Sequence, residues 1–174
     1  MSTVVGIVEK GKVCIGADSL ASTEDGDARP MKCKKIFRNG PYLIGFIGSV
    51  RGGQILYPNY FKPPKDIMEL PDAIIKHSQD KGCLLTNEQQ QAVHGCNFLI
   101  GFKKKLYEIL VDFQLTEIED YTAIGAGSPY AFGSLYTTEK MKDSFTPEMR
   151  IEIALGAAEE FSTSTRGPFY YEKL

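Results

Sequence analysis

Ser2 and Asp18 are the first residues of this chain whose types and spacing suggest chemistry. Between them lie a run rich in β-branched residues, Thr3 to Val8, a reversal at Glu9-Lys10-Gly11-Lys12, and a second apolar run, Val13 to Gly16. Two such runs joined by a Gly-containing turn read as a β-hairpin. A hairpin returns Asp18 to the end at which Ser2 sits. A serine hydroxyl is a poor nucleophile until a base takes its proton. If Met1 is removed, as a small second residue usually allows, Ser2 carries its own base: an α-amine titrates near pH ~7.7–8.0 and is partly unprotonated at neutrality. A nearby lysine ammonium lowers that value by disfavouring a second positive charge. A carboxylate would hold the lysine charged and oriented. Asp18 can be that carboxylate, and Lys32, Lys34 or Lys35 the lysine. A Met-Ser start or an Asp after a strand is ordinary alone; the weight rests on the combination.

The elements that must position these groups follow from composition and pattern. The chain has 174 residues, enough for one domain over 1–174 with a sizeable core. Its 20 Lys plus Arg against 22 Asp plus Glu give a net charge of -2, which argues against nucleic acid or a polybasic membrane contact. No apolar stretch approaches the ~18–20 residues of a membrane span, and Glu9, Lys10 and Lys12 interrupt anything resembling a signal peptide. The four cysteines, Cys14, Cys33, Cys83 and Cys96, form no CxxC pair, so a reducing, cytoplasmic setting is expected. His77, Cys83, His94 and Cys96 match no common zinc spacing. They read as surface thiols and loop histidines, and no metal or cofactor is expected.

Along the chain, Ser19 to Pro30 reads as a polar, substrate-facing loop. Ile36 and Phe37 lead to a turn at Arg38-Asn39-Gly40, and Pro41 to Ile47 is apolar on both faces, as a central strand is. Gly48, Ser49, Gly52 and Gly53 at its end let backbone N–H groups approach a ligand. Ser49 to Tyr57 suggests a short helix, and Pro71 to Lys81 a second one stopped by Gly82. Leu84 to Gly95 is a polar connection without a clear assignment. Asn97 to Phe102 and Leu106 to Phe113 pair as strands around Lys103-Lys104-Lys105. Tyr121 to Ile124 is a strand. Ser128 and Pro129 read as cap and first position of a helix reaching about Lys142, and Thr146-Pro147 begin another. Ile151, Leu155 and Ala158 give that last helix a buried face. Pro168 to Tyr171 closes the chain as a strand. Strands, a helix pair, strands and a second helix pair suggest two antiparallel sheets between helix layers, an α+β, αββα sandwich.

Four blocks then carry a resemblance. They are Ser2-Thr-Val-Val-Gly-Ile-Val through Ile-Gly-Ala-Asp18; Lys35-Ile36 with Pro41-Tyr-Leu-Ile-Gly-Phe-Ile-Gly-Ser49; Ala123-Ile-Gly-Ala-Gly-Ser-Pro-Tyr-Ala131; and Ala154-Leu155 to Leu174. In this order and spacing the chain resembles the proteasome β-subunit and HslV peptidases, members of the N-terminal nucleophile hydrolases. Residues 54 to 96 match only in outline. The length is close to that of HslV, whereas the Gly-Ala-Gly-Ser-Pro-Tyr turn is closer to the proteasome β form.

The resemblance implies an N-terminal nucleophile sandwich and a role for each matching position. Ser2 falls on the family's threonine nucleophile, Asp18 on its aspartate, and Lys35 on its lysine, with Lys34 as the alternative. Gly48 falls on the glycine whose N–H forms the oxyanion hole. Glu159 and Ser162 fall on an Asp and a Ser that support the amine. Ser22, Phe46 and Ser49 fall where the family contacts substrate, Phe46 in the specificity pocket. Serine for threonine at position 2 loses the methyl that restricts the rotamer, and Ala126 stands where many members have a serine. The activity implied is hydrolysis of polypeptide inside a homo-oligomeric ring of six or seven subunits, singly or stacked, fed by an ATP-dependent unfoldase; the chain has no P-loop of its own. Two alternatives remain at this point: a catalytically silent ring-forming scaffold, and a small-amide hydrolase of the same superfamily.

Overall fold

The computed structural model describes residues 2–22, 28–32 and 34–174, Ser22 by its backbone alone. The first hairpin forms as expected. Strand β1 (Thr3–Glu9) and β2 (Lys12–Ala17) pair antiparallel through a two-residue turn, with Val4 opposite Ala17 and Glu9 opposite Lys12. Two short strands follow, β3 (Leu20–Ser22) and β4 (Ala28–Pro30), which pair with each other. The segment expected to be a plain loop is therefore partly a hairpin; residues 23–27 lie outside the described residues. Next come β5 (Ile36–Asn39) and the central β6 (Tyr42–Gly48), then a short helix α1 (Val50–Gln54) and α2 (Leu70–Asp80).

The connection after α2 forms a hairpin of its own, β7 (Leu84–Thr86) with β8 (Ala92–His94). Strands β9 (Cys96–Phe102) and β10 (Lys105–Ile109) turn through Lys103 and Lys104, as their solvated charge suggested, and β11 (Leu115–Ile118) extends them. Strand β12 (Tyr121–Gly125), helices α3 (Ser128–Glu139) and α4 (Pro147–Phe161), and β13 (Tyr170–Lys173) complete the chain.

The major strands make two sheets, ordered β12-β1-β2-β13 and β11-β10-β9-β6-β5. Period-2 alternation decides which side chain enters which layer. On β1, Val4 points between the sheets and meets Ile15, Leu43, Leu99 and Leu106, all fully buried. Val5 and Ile7 point the other way, onto Leu135, Ile151, Ala154 and Leu155 of α3 and α4. On β6, Leu43 joins the inter-sheet core, whereas Tyr42, Ile44 and Phe46 face Ile55, Leu56, Leu70 and Ile74 in and around α1 and α2. The result is the expected αββα sandwich, with β1 and β6 buried on both faces. That explains why neither strand alternates with polar residues.

Several boundaries shift for identifiable reasons. Ser128 does not cap α3: Gly127 occupies the cap position and Ser128 is already helical, with no side-chain cap bond. Thr146 does cap α4, its Oγ1 accepting from Met149 N–H at 3.3 Å. His94 and Cys96 are not loop or surface residues; they lie at β8 and β9 with 2% and 1% exposure. Among the described residues no group of three His, Cys, Asp or Glu is placed to hold a metal.

Candidate active site

The hairpin delivers Asp18 to Ser2 by the pairing of β1 with β2. Asp18 N–H donates to Thr3 O at 3.2 Å, and the Asp18 carboxylate answers across the same pair, Oδ1 accepting from Thr3 N–H at 3.0 Å. Its Oδ2 accepts from Leu20 N–H at 3.0 Å. The acid is thus oriented by backbone before any cation is considered. Lys35 then reaches in from the start of β5. Its Nζ donates to Asp18 Oδ1 at 2.7 Å, to Ser2 Oγ at 2.7 Å and to Leu20 O at 2.6 Å. Ser2, Asp18 and Lys35 are 5%, 1% and 4% exposed. Burial of a charge is tolerated only when it is paired and hydrogen-bonded; here the three protons of the ammonium meet three oxygens.

The strand end is fastened from the other side. Ser2 O accepts from Ala126 N–H at 3.0 Å, and Gly125, with φ +105, passes so close to Ser2 that a Cβ there would collide with the Ser2 carbonyl. Only glycine combines that backbone conformation with that approach. Thr3 Oγ1 lies 2.5 Å from Thr165 Oγ1 and accepts from Gly127 N–H at 3.2 Å. A small pocket of about 30 Å³ opens at the cluster, lined by Ser2, Leu20, Ala21, Lys35, Phe46, Ile47, Gly48 and Val50. Gly48, at φ +97, could not carry a side chain, because a Cβ would run into the Gly95 carbonyl.

Chemically, the arrangement places a hydroxyl oxygen against an ammonium that has no lone pair to offer. Lys35 can stabilise negative charge developing on Ser2 Oγ, but it cannot take the hydroxyl proton while bound as an ammonium to Asp18. A base must come from elsewhere.

Comparisons with known proteins reach the same architecture by shape. No family model matches the chain, and no curated protein matches it by sequence. Among solved structures, BPH from Thiobacillus denitrificans in complex with epoxomicin aligns with a TM-score of 0.85 at 22% identity, over 99% of this chain and 97% of that one. HslV from Trypanosoma brucei aligns with a TM-score of 0.72 at 17% identity, over 99% and 98% of the two chains. The Anbu Gly-1 mutant from Hyphomicrobium sp. strain MC1 aligns at 0.65 and 13% identity, over 98% of this chain and 80% of that one. The fold is that of HslV. At these identities the likeness establishes the sandwich and leaves the activity to the residues of the site.

Within this HslV-type sandwich the expected residues divide into two groups. Ser2, Asp18, Lys35, Phe46 and Gly48 converge on one place. Lys35, not Lys34, is the buried lysine: Lys34 is exposed and lies 3.9 Å from Glu172. Glu159 and Ser162 stand apart from that hydrogen-bonded cluster. Glu159 is exposed and its Oε1 accepts from Gly167 N–H at 2.9 Å, while Ser162 Oγ accepts from Ser164 N–H at 3.2 Å. Both line a neighbouring hollow of about 370 Å³ together with Thr165 and with Leu20, which also lines the Ser2 pocket. Ser49 caps α1 through Gly52 N–H at 3.1 Å. Ser22 pairs with Ala28 by its backbone. Thr3 and Thr165 escaped sequence reading. Thr3 looks like any β-branched strand residue, and Thr165 lies in the polar run Ser162-Thr-Ser-Thr165, where nothing in the spacing singles it out.

Proposed function

We propose that this chain is an N-terminal nucleophile hydrolase that cleaves peptide amides with Ser2 Oγ once Met1 has been removed. The observation that carries the reading is the buried Lys35 ammonium, hydrogen-bonded at once to Ser2 Oγ and to Asp18 at 2.7 Å each. A structural ion pair needs no third partner with a reactive hydroxyl. Because Lys35 cannot accept the proton, the freed α-amine of the same residue is the base, acting directly or through one water. Ser2 Oγ forms a bond to the substrate carbonyl carbon, and the carbonyl oxygen becomes an oxyanion held by Gly48 N–H. The amine returns its proton to the leaving nitrogen as the C–N bond breaks, giving an ester on Ser2. Water, deprotonated by the same amine, then attacks the ester; the acid leaves and Ser2 Oγ regains a proton. Loss of one oxyanion donor costs on the order of 3 kcal/mol of barrier.

The HslV-type fold over 99% of the chain supports this reading, and so does the likeness to BPH, which was solved with epoxomicin bound. On this reading the protein works in a reducing compartment as a ring of six or seven subunits, receiving polypeptide from an ATP-dependent unfoldase. The test begins with the intact mass, which establishes a preparation that starts at Ser2. That preparation is expected to turn over a peptide-amide panel, alone or with an added unfoldase, and to be labelled by epoxomicin on its N-terminal peptide. Ser2→Ala is expected to abolish both without altering fold or assembly. A preparation beginning at Ser2 that is neither active nor labelled overturns the proposal. A silent ring-forming scaffold is the second reading, favoured by one observation: the Glu159 carboxylate accepts from Gly167 N–H.

A further inference from the structure

We infer that Cys96 is a positioning residue whose thiol holds the Gly48 N–H in the direction the oxyanion requires; this rests on the proposed hydrolase. Phe46 N–H donates to Lys35 O at 3.0 Å. N–H groups two residues apart on a strand point the same way. Gly48 N–H therefore also leaves β6 on the Lys35 side, away from β9. Gly48, Lys35 and Ser2 line one small pocket. The N–H belongs to a glycine at φ +97, a residue type that turns about its backbone torsions more freely than any other. Its direction is set by what holds the chain on either side.

Before Gly48 the chain is an ordinary strand, with Ile47 opposite Asn97 and Gly48 itself opposite Cys96. After Gly48 it is held from β9 by two bonds. Ser49 N–H donates to Gly95 O at 2.8 Å. Cys96 Sγ donates to Ser49 O at 3.1 Å. Burial pushes the Cys96 thiol up to about 12, so it keeps its proton at neutral pH and remains a donor. Ser49 O also accepts from Gly53 N–H at 3.0 Å, and Ser49 Oγ from Gly52 N–H at 3.1 Å. Those two bonds lie within α1 and its cap, whereas the thiol bond crosses to β9. A helix of five residues has little stability of its own, so its place depends on such crossings. The contact is also close. A Cβ at Gly52 would come within 2.8 Å of Cys96 Sγ and 3.0 Å of His94 Cε1. Helix α1 thus lies directly on the β8–β9 corner, with Cys96, 1% exposed, between them. Without the thiol, the bond left on the Ser49 carbonyl among the described residues is the one from its own helix. Glycine at position 48 then offers little resistance to a turn of the peptide plane that carries its N–H.

The test uses the full chain shown by mass to begin at Ser2 and the peptide amide that the wild-type protein cleaves fastest. Cys96→Ala removes the donor. Cys96→Val removes it while keeping apolar bulk, and Cys96→Ser keeps a donor of similar size. Urea midpoints establish which variants are folded. A small misplacement of a group that acts in the transition state costs up to about 100-fold. The Ala and Val variants are therefore expected to lose about 10- to 100-fold in kcat with KM within about twofold, as befits an interaction made in the transition state. Cys96→Ser is expected to stay within about threefold of the wild-type kcat. A role in packing alone reverses that order, because Val suits an apolar core better than Ser. Wild-type kcat in Cys96→Ala, or a loss carried by KM, overturns the positioning role and leaves the hydrolase standing. So does a Ser variant that is as slow as Ala or fails to fold. Where only one of the Ala and Val variants folds, that one is compared with Ser; if neither folds, the thiol secures the fold and the inference is overturned. A wild-type protein that turns over no substrate removes the hydrolase reading, and the positioning role falls with it.

Discussion

Asp18 shows how one buried carboxylate is committed before catalysis is considered. Two backbone N–H groups, of Thr3 and Leu20, and one ammonium use both of its oxygens. Replacing Lys35 by Met keeps the volume but leaves Asp18 buried without its cation. Breaking a buried pair from one side costs about 3–5 kcal/mol, so Lys35→Met is expected to lower the urea midpoint by that equivalent and to abolish any turnover. Near-wild-type stability would mean that Asp18 needs only its backbone donors. His94 makes a separate prediction. It is 2% exposed, its rings of contact are Phe98 and Phe113, and neither ring nitrogen has a hydrogen-bond partner among the described residues. Burial holds its pKa down to about 4 from 6.5. The unfolded chain therefore binds one more proton than the folded chain between those values. The contribution of His94 is complete above pH 6.5 and is lost as pH falls through the window, by about 3 kcal/mol in all. Urea denaturation at pH 4.5 and 7 is expected to show this loss, and His94→Leu to reduce it relative to its own value at pH 7.

At the scale of elements, α4 does the most joining. Its inner face buries Ile151, Ala154 and Leu155 against Val5, Ile7 and Cys14 of β1 and β2, and Ala158 is buried as well. Arg150, 1% exposed, ties it to α3 through Glu139 at 2.6 Å and to β1 through Glu9 at 3.5 Å. Its C-terminal end hands the chain to the run in which Thr165 contacts Thr3, next to Ser2. The start of this helix depends on Thr146, whose side chain satisfies one of the N–H groups left without an intrahelical acceptor. Thr146→Ala is expected to cost about 1 kcal/mol, read as a lower urea midpoint with an unchanged slope. A changed slope would point instead to a difference in the extent of unfolding.

For the whole molecule, the outer face of the α3–α4 pair is unusual. Tyr130, Ile153 and Phe161, each at least 40% exposed, line one hollow between the two helices, and the Tyr130 and Phe161 rings meet at 5.7 Å. An exposed apolar hollow of this kind is suited to contact with another macromolecule. Assembly is the expectation that agrees with the proposed function. Light scattering at micromolar concentration is expected to give a mass several times the 19.3 kDa of one chain. A monodisperse monomer would count against the ring and therefore against the proposed setting of the site.

The sequence by itself determined the layer architecture and the first hairpin, because both rest on local periodicity and turn chemistry. The apolar runs at Thr3 to Val8 and Pro41 to Ile47 had to be buried on both faces, and they became β1 and β6. Ser2 and Asp18 were legible as neighbours because hairpin register links them over only fifteen intervening residues. Composition left Lys32, Lys34 and Lys35 open, and only the resemblance favoured Lys35, with Lys34 as the alternative. Adjacent lysines differ by which face of the chain points inward, and only the pairing of β5 with β6 settles that. Residues 84–95 gave too short and too polar a pattern to read as a hairpin. Thr165 was invisible because its contact with Thr3 spans 162 positions. The pocket volume was invisible for the same reason. Phe46 lines that pocket and its ring lies against Gly53 of α1, and the distance between a strand and a helix is a property of the packed sandwich, not of either segment.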